Sequence, residues 1–155
     1  YNYGAKLYPR VRETINKSII YASLVGFLVF LLIMFFPTAF TQLFLKNDVT
    51  LSAEELETNA FILAEAPKAM RWVFAATPII ALQLIGAAYF QAIGKAVPAL
   101  LLTLCRQGFF FIPLIFILPN YFGVMGVWAS FPVADVLATI VTAYFLNREV
   151  RLKLN

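Results

Sequence analysis

The fold is decided by residues 18–45, which read SIIYASLVGFLVFLLIMFFPTAFTQLFL and contain no charged side chain. A helix that crosses the hydrocarbon layer of a membrane needs about 20 mostly apolar residues, and this stretch is longer than that. Residues 27–36 are apolar on every side of a helix, as expected where the surroundings are lipid. The stretch predicts a transmembrane helix over 18–44.

The composition of the whole chain favours the same class of protein. Its 155 residues are 62% hydrophobic and 13% charged, and the mean hydropathy is +0.83. A soluble domain is about half apolar and about a quarter charged. Too few charged side chains are present to cover a water-facing surface, which excludes a soluble globular enzyme. High apolar content also excludes a disordered chain.

Further runs without charge predict three more spans. Residues 72–94 carry no charge, and residues 96–147 contain only Arg106 and Asp135. The longer run fits two helices, because residues 119–123 contain a turn signal. Open strands cannot satisfy their backbone groups in lipid, and the alternating segments of a barrel are absent from the sequence. The sequence therefore predicts an all-α polytopic membrane protein, with transmembrane helices over 18–44, 70–93, 97–118 and 124–146.

Lysine and arginine residues predict the orientation. Four spans place residues 1–17, Lys95 and residues 147–155 on one side, with eight of the 12 basic residues. Lys46, Lys68 and Arg71 lie on the other side, together with five acids. By the positive-inside rule, residues 1–17 form a cytoplasmic loop and 147–155 a cytoplasmic tail. Since the basic residues are split among short segments, nucleic-acid binding is not expected.

The predicted extracytoplasmic loop, residues 45–69, has a helix signal of its own. Ser52 and Glu55 fit a capping box, in which each side chain satisfies the free backbone donor of the other residue. A short helix over 53–66 is predicted. Pro67 either separates it from the second span or bends it into that span.

Each predicted span contains an internal proline, and these residues are candidate hinges: Pro37, Pro78, Pro113 and Pro132. Proline removes a backbone hydrogen bond and kinks a helix. Two interpretations stay open, because proline is common in membrane helices in general and also marks the broken helices of transporters.

The last span carries small residues at every fourth position, namely Gly126, Ser130, Ala134, Ala138 and Thr142. A face of small side chains lets two helix backbones approach closely. The pattern predicts that this helix is buried in a bundle.

Asp135 lies near the middle of the last span, and Thr139 follows one turn later on the same face. A carboxylate at membrane depth is costly and is usually paired, placed in a cavity or used to bind ions or protons. Asp135 and Thr139 are therefore candidates for an ion or proton site. The alternative is a structural role, either as an ion pair with a basic residue of another helix or as a hydrogen-bonded neutral acid.

Four further polar residues are candidates for lining a cavity: Thr77, Gln83, Gln91 and Arg106. Glutamines two turns apart on one helix can hydrogen-bond across helices or line a wet path. Arg106 either snorkels to the inner membrane interface or contacts a substrate. The aromatic residues Phe109 to Phe111, Tyr89 and Phe90 either hold a lipophilic cation or face lipid.

No catalytic or metal site is predicted. The chain has no His for general acid–base work, and its single Cys105 has no His partner to activate it. One cysteine also excludes a disulfide within the chain. Neither paired acids within a span nor a glycine-rich phosphate loop occurs, so neither an enzyme nor a cofactor is expected.

Read in order, several motifs resemble the C-terminal part of a bacterial multidrug and toxic compound extrusion (MATE) transporter. Residues 1–6, YNYGAK, with Arg10 are similar to the motif GYNYGAK that closes the eighth helix in this family. Residues 89–95, YFQAIGK, are similar to the end of the tenth helix. The eleventh and twelfth helices are matched by Arg106-Gln107, Pro113, Pro119, residues 123–128 (GVMGVW), Pro132 and Asp135.

The resemblance implies a twelve-helix protein of two six-helix lobes in the bacterial inner membrane. Such a protein exports organic cations and drugs by alternating access, in exchange for Na⁺ or H⁺. The chain would be a fragment that holds helices nine to twelve, part of the C-terminal lobe. Its partners would be the N-terminal lobe, membrane lipids and lipophilic cations. A start without Met in a basic stretch also predicts a fragment.

One feature departs from the family. Several members carry an acid in the tenth helix, whereas residues 72–94 contain none, so Asp135 is the acidic candidate within the predicted spans. Two other functions stay open: a lipid-linked saccharide flippase of the same superfamily, and a membrane subunit that only scaffolds a partner.

Overall fold

The computed structural model describes residues 1–45 and 52–153, and every regular element in these ranges is helical. Lys46 and Asp48 of the predicted outer loop and residues 154–155 of the predicted tail lie outside them. The helices are α1 (Tyr8–Phe35), α2 (Pro37–Phe44), α3 (Ala53–Val73), α4 (Thr77–Ala92), α5 (Ala96–Leu104), a π-helical segment (Cys105–Phe111), α6 (Ile112–Phe122) and α7 (Val124–Lys153).

Three of the helical segments are long and apolar enough to cross a membrane: Tyr8–Phe35, Ala96–Phe122 and Val124–Lys153. The pair α3 and α4 supplies a fourth if the 49° bend between them is part of one span. The prediction of an all-α, polytopic membrane protein is confirmed.

The first helix differs from the predicted span over 18–44. It begins earlier, at Tyr8, because Pro9 occupies its first turn and needs no hydrogen-bond acceptor there. It ends at Phe35, since a proline disfavours helical backbone in the residue before it. Phe36 accordingly has φ −124° and ψ 39°, and Pro37 begins the separate helix α2.

The outer helix α3 is longer than the predicted 53–66. Its capping box is present, because Ser52 N–H donates to Glu55 Oε2 at 2.8 Å and Glu55 N–H donates to Ser52 Oγ at 3.3 Å. The helix continues through Pro67 as far as Val73. The predicted span 70–93 is therefore divided at residues 74–76, and Pro78 lies in the first turn of α4.

The last two predicted spans are also longer in the structure than 97–118 and 124–146. Helical backbone runs from Ala96 to Phe122 through the π-helical segment, and Pro113 lies in the first turn of α6. The turn falls at Gly123, whose φ of 57° favours glycine. Helix α7 continues through Pro132 without a break.

Helix α4 packs between α1 and α7. It is antiparallel to α1, because Gly26 lies against the Thr77 carbonyl, where a Cβ would be 2.9 Å from the oxygen, whereas Ile15 packs near the other end with Tyr89. It is parallel to α7, because Gly86 meets Thr142 and Lys95 pairs with Glu149. Residues that lie at the same depth in the bundle are therefore neighbours on α4 and α7.

Helix α7 is covered on its other side by α6, which runs antiparallel to it. Gly126 lies directly against the backbone of Leu118, where a side chain would not fit. The small residues Gly126, Ser130, Ala134, Ala138 and Thr142 are all buried. The prediction that small residues bury this helix in a bundle is confirmed.

Candidate functional site

The central feature of the bundle is an ion pair between α7 and the π-helical segment. The Arg106 Nε–H group donates to Oδ1 of Asp135. The Asp135 side chain is 2% exposed, whereas that of Arg106 is 33% exposed. Of the alternatives for Asp135, the structure shows pairing with a basic residue of another helix. Arg106 is held by this pair.

Arg106 is the second residue of the π-helical segment. Residues 105–111 form wider turns than an α-helix, and such turns are rare and frequently found at functional sites. Gly108 lies inside this segment, and a Cβ there would have Leu104 Cβ as its nearest neighbour at 4.0 Å. The sequence analysis did not predict this segment, and its only signal is a glycine beside two polar residues in an apolar helix.

A cavity of about 250 Å³ opens beside the ion pair. Its walls are Arg106, Gln107, Phe111, Ile112, Phe131, Ala134 and Asp135. The Phe111 and Phe131 rings lie 4.6 Å apart at their centroids and are inclined at 52°. The cavity therefore combines a guanidinium group paired with a carboxylate, an amide and an aromatic wall. Of the aromatic residues proposed from the sequence, Phe111 is the one in this wall.

Helices α4 and α7 also enclose polar atoms that lack partners. Among the described residues, four buried side-chain atoms make no hydrogen bond: Gln83 Oε1, Tyr89 OH, Asp135 Oδ2 and Thr139 Oγ1. Since Gly86 meets Thr142, the positions three residues earlier, Gln83 and Thr139, lie at the same depth. Asp135 lies one turn before Thr139, on the same face of α7. Three of the predicted site residues thus have a buried, unpaired polar atom at similar depth in the bundle.

The other polar candidates do not join this interface. Gln91 is exposed near the end of α4, and the Thr77 hydroxyl donates to the Phe74 carbonyl at 2.8 Å, across the bend before α4. Tyr89 and Phe90 belong to the buried cluster at the opposite end of α4. These residues contribute to local structure rather than to the cavity.

A second ion pair, which the sequence analysis did not predict, joins the turn after α4 to the end of α7. Lys95 Nζ lies 2.5 Å from both carboxylate oxygens of Glu149, and Glu149 is 9% exposed. Burial acts to lower the pKa of Lys95, but the hydrogen bond and the charge of Glu149 outweigh it and raise that pKa above its ordinary value. The Lys95 ammonium also lies 6.0 Å from the Phe90 ring.

The described residues contain no group of three acids, cysteines or histidines that could hold a metal ion. What the arrangement offers chemically is an ion pair that lines a partly open cavity, and several buried oxygen atoms that lack a hydrogen-bond partner among the described residues. Both lie in apolar helices of membrane-spanning length, where an uncompensated polar group is costly.

The sequence profile of the MatE family matches residues 1–117 of the chain. A solved structure of a chain named protein A is 38% identical, with a TM-score of 0.77. The match covers 99% of the present chain and 31% of protein A, so the chain spans about a third of that relative's length. Among proteins with curated descriptions, none matches the chain.

Proposed function

The chain belongs to the MatE family of membrane transporters, and from this we propose that it forms part of the C-terminal lobe of a multidrug antiporter. The whole protein exports lipophilic organic cations in exchange for Na⁺ or H⁺. It lies in a bacterial inner membrane with the C-terminus in the cytoplasm. The missing N-terminal lobe and membrane lipids are the partners of this segment.

The observation that carries the proposal is a set of unpaired polar atoms inside an apolar bundle. Asp135 keeps one carboxylate oxygen without a partner among the described residues, and the buried Thr139 Oγ1 and Gln83 Oε1 atoms also lack one. Intramembrane carboxylates that are retained despite their cost commonly serve an ion or proton pathway. Oxygen atoms of carboxylate, hydroxyl and amide groups suit a hard cation, and a carboxylate can also accept a proton. We assign the contact with the coupling ion to Asp135 and Thr139, with Gln83 beside them.

Movement between inward-open and outward-open states needs places where the helices bend. The structure interrupts regular α-helix at Phe36 before Pro37, at residues 74–76 before Pro78, and in the π-helical segment before Pro113. Helices with such interruptions are typical of transporters that work by alternating access. Pro132 lies within an uninterrupted helix, so a hinge there depends on the kink that proline itself introduces.

The test is export by the full-length protein that contains this chain. Expressed in a bacterial strain without its major efflux pumps, it is expected to lower ethidium accumulation, and Asp135→Asn is expected to abolish most of this effect. Glu57→Gln, on the exposed outer helix α3, is the matched control and should export normally. In everted vesicles, a Na⁺ gradient and a pH gradient applied separately identify the coupling ion.

Two outcomes would contradict the proposal. A full-length protein that exports neither ethidium nor tetraphenylphosphonium is not a multidrug antiporter, and a lipid-linked saccharide flippase or a scaffold subunit would behave in this way. Unchanged export by Asp135→Asn would remove Asp135 from the ion site. A scaffold would also tolerate Gln83→Ala without loss of function.

A further inference from the structure

The end of α7 carries two arginines that the described part of the chain does not use. Arg148 and Arg151 are exposed, and neither makes a hydrogen bond or an ion pair with a described residue. Together with Tyr144, Asn147 and Leu152 they line a groove of about 580 Å³. None of these five lining residues is acidic, so the positive charge of the groove is not compensated. The groove therefore favours an anion.

Glu149 lies between the two arginines in the sequence but does not line the groove. It is 9% exposed, and both of its carboxylate oxygens lie 2.5 Å from Lys95 Nζ. Its charge is thus already matched by an ammonium group on the buried side of α7. An anion in the groove meets the two guanidinium groups without competition from this carboxylate.

Apolar side chains continue the same face of α7 into its membrane-spanning part. Exposed residues of this kind recur at every third or fourth position, namely Val133, Val136, Ile140 and Tyr144. Arg148 and Arg151 follow four and seven residues after Tyr144, so they extend this face. Tyrosine is enriched where a span meets the polar headgroups, and here it separates the apolar residues from the charged ones.

This order of side chains matches the order of chemical groups in a phospholipid. Acyl chains fit the apolar part of the face, and guanidinium groups bind phosphate oxygens through parallel hydrogen bonds. A soluble anion would use the arginines and leave the apolar residues uncovered. A zwitterionic headgroup would bring a positive charge towards the arginines, whereas an anionic headgroup would not. Basic residues just beyond a span are typical of binding to anionic headgroups.

We infer that this face of α7 is a binding site for an anionic phospholipid, with the phosphate on Arg148 and Arg151 and the acyl chains along residues 133–144. The site goes beyond the proposed export function and does not depend on it, because it needs only α7 in a bilayer. The positive-inside rule assigns this end of α7 to the cytoplasmic leaflet, which carries anionic lipids.

The experiment identifies the lipid that lies beside residue 144 in the full-length protein. Tyr144→Trp places a fluorescent reporter on the face, and the protein without this substitution gives the background emission. Both are reconstituted in mixtures of phosphatidylglycerol and phosphatidylcholine with the same acyl chains. Bromine atoms, which quench tryptophan, are placed on one lipid or on the other.

Since the lipid composition is otherwise constant, the two quenching values give the relative binding constant of the lipids at the reporter. We expect phosphatidylglycerol to be favoured by about 10- to 30-fold, which is the effect of two basic side chains near an anionic surface.

Three variants of the reporter protein locate the preference. Arg148→Gln/Arg151→Gln should bind the two lipids almost equally. Lys6→Gln/Arg10→Gln is the matched control, because it removes two exposed basic charges from the same predicted side of the membrane, and it should keep the preference. Arg148→Lys/Arg151→Lys retains both charges and should still favour phosphatidylglycerol.

Equal binding of the two lipids in the reporter protein would overturn the site, as would an undiminished preference in Arg148→Gln/Arg151→Gln. The arginines would then only compensate the dipole at the end of the helix. Complete loss of the preference in Arg148→Lys/Arg151→Lys would also contradict recognition by charge.

Two further results would assign the face to another occupant and overturn the proposal. A reporter that neither brominated lipid quenches would lie against another helix of the full-length protein. A preference abolished by millimolar inorganic phosphate, with the ionic strength matched by NaCl, would indicate a site for a soluble anion. None of these results affects the proposed export of ethidium, which is measured separately.

Discussion

The side chains of Asp135 and Arg106 differ in their exposure to water. This difference predicts how much a substitution at each position destabilises the protein. Arg106→Gln leaves the 2% exposed carboxylate without its partner, a change that typically costs about 3–5 kcal/mol in a buried pair. Asp135→Asn should cost less, because water reaches the 33% exposed guanidinium group. The free energy of unfolding of the full-length protein in detergent, followed by tryptophan fluorescence, measures both.

The double variant Arg106→Gln/Asp135→Asn is the control for this pair. It removes the buried charge, so it should be more stable than Arg106→Gln alone. If the double variant and Arg106→Gln are equally stable, the unpaired carboxylate of Asp135 does not account for the stability that Arg106→Gln loses.

The contact between Gly86 and Thr142 predicts a second effect at single residues. A Cβ on Gly86 would overlap Cγ2 of Thr142, so Gly86→Ala should push α4 and α7 apart and destabilise the protein by about 1–3 kcal/mol. Thr142→Ser removes Cγ2 and keeps the hydroxyl that donates to the Ala138 carbonyl at 2.9 Å. The double variant Gly86→Ala/Thr142→Ser should therefore recover much of the melting temperature that Gly86→Ala alone loses.

Gly108→Ala is the matched substitution for this test, because its nearest neighbour would be 4.0 Å away. It should change the melting temperature little. A Gly86→Ala protein that is as stable as wild type would contradict the close packing of the two helices.

Much of the site could be selected from the sequence because a polar residue in an apolar span is conspicuous. This reasoning selected Asp135, Thr139 and Gln83, each of which has a buried polar atom without a partner among the described residues. It could not assign Arg106 as the partner of Asp135, because that pairing depends on the register of two helices and on the π-helical segment. Polarity alone also selected Gln91, which is exposed.

At the scale of helices, the ion pair between Lys95 and Glu149 predicts a dependence of stability on pH. Its partners raise the pKa of Lys95 above the ordinary 10.5, so folding stabilises the protonated amine. This contribution is complete at pH values below 10.5 and is lost as the pH rises through the higher folded-state pKa. The melting temperature of Lys95→Met should thus lie below that of wild type by a constant amount from pH 7 to 9, and the difference should shrink above pH 10.5.

The control for this prediction is Lys17→Met on α1. Lys17 forms an ion pair with Glu13 in which both side chains are 61% exposed, so water already screens it. Its removal should hardly change the melting temperature. An effect of Lys95→Met that persists undiminished above pH 10.5 would show that lost packing, rather than lost charge, is responsible.

The existence of the helices could be predicted from gaps between charges, but their ends could not. Pro37 begins a helix, Pro67 and Pro132 lie inside helices, and Pro78 follows a bend. All four have the same local signal in the sequence. Whether a proline starts, bends or merely occupies a helix depends on tertiary packing between distant parts of the chain, which the local sequence does not contain.

At the scale of the whole molecule, the central position of α4 follows from its two packing faces. It packs against α1 where Gly26 approaches Thr77, and against α7 where Gly86 approaches Thr142. Both faces are therefore buried within this segment. By contrast, α1 exposes large apolar side chains such as Phe27, Leu28 and Phe35, consistent with lipid or further helices around it.

The orientation of this bundle in the membrane is the last prediction, and it follows from the basic residues at the ends of the helices. The positive-inside rule places Glu13 and Lys153 in the cytoplasm and Glu57 outside. All three side chains are exposed, so each position can carry a single cysteine once the native Cys105 has been replaced by serine. In intact spheroplasts, a membrane-impermeant maleimide should label Glu57→Cys only. Glu13→Cys and Lys153→Cys should react after the membrane is permeabilised, which also controls for their accessibility. Because an even number of crossings returns the chain to its starting side, labels at 13 and 153 that react from opposite faces would mean that α3 and α4 do not together form one span.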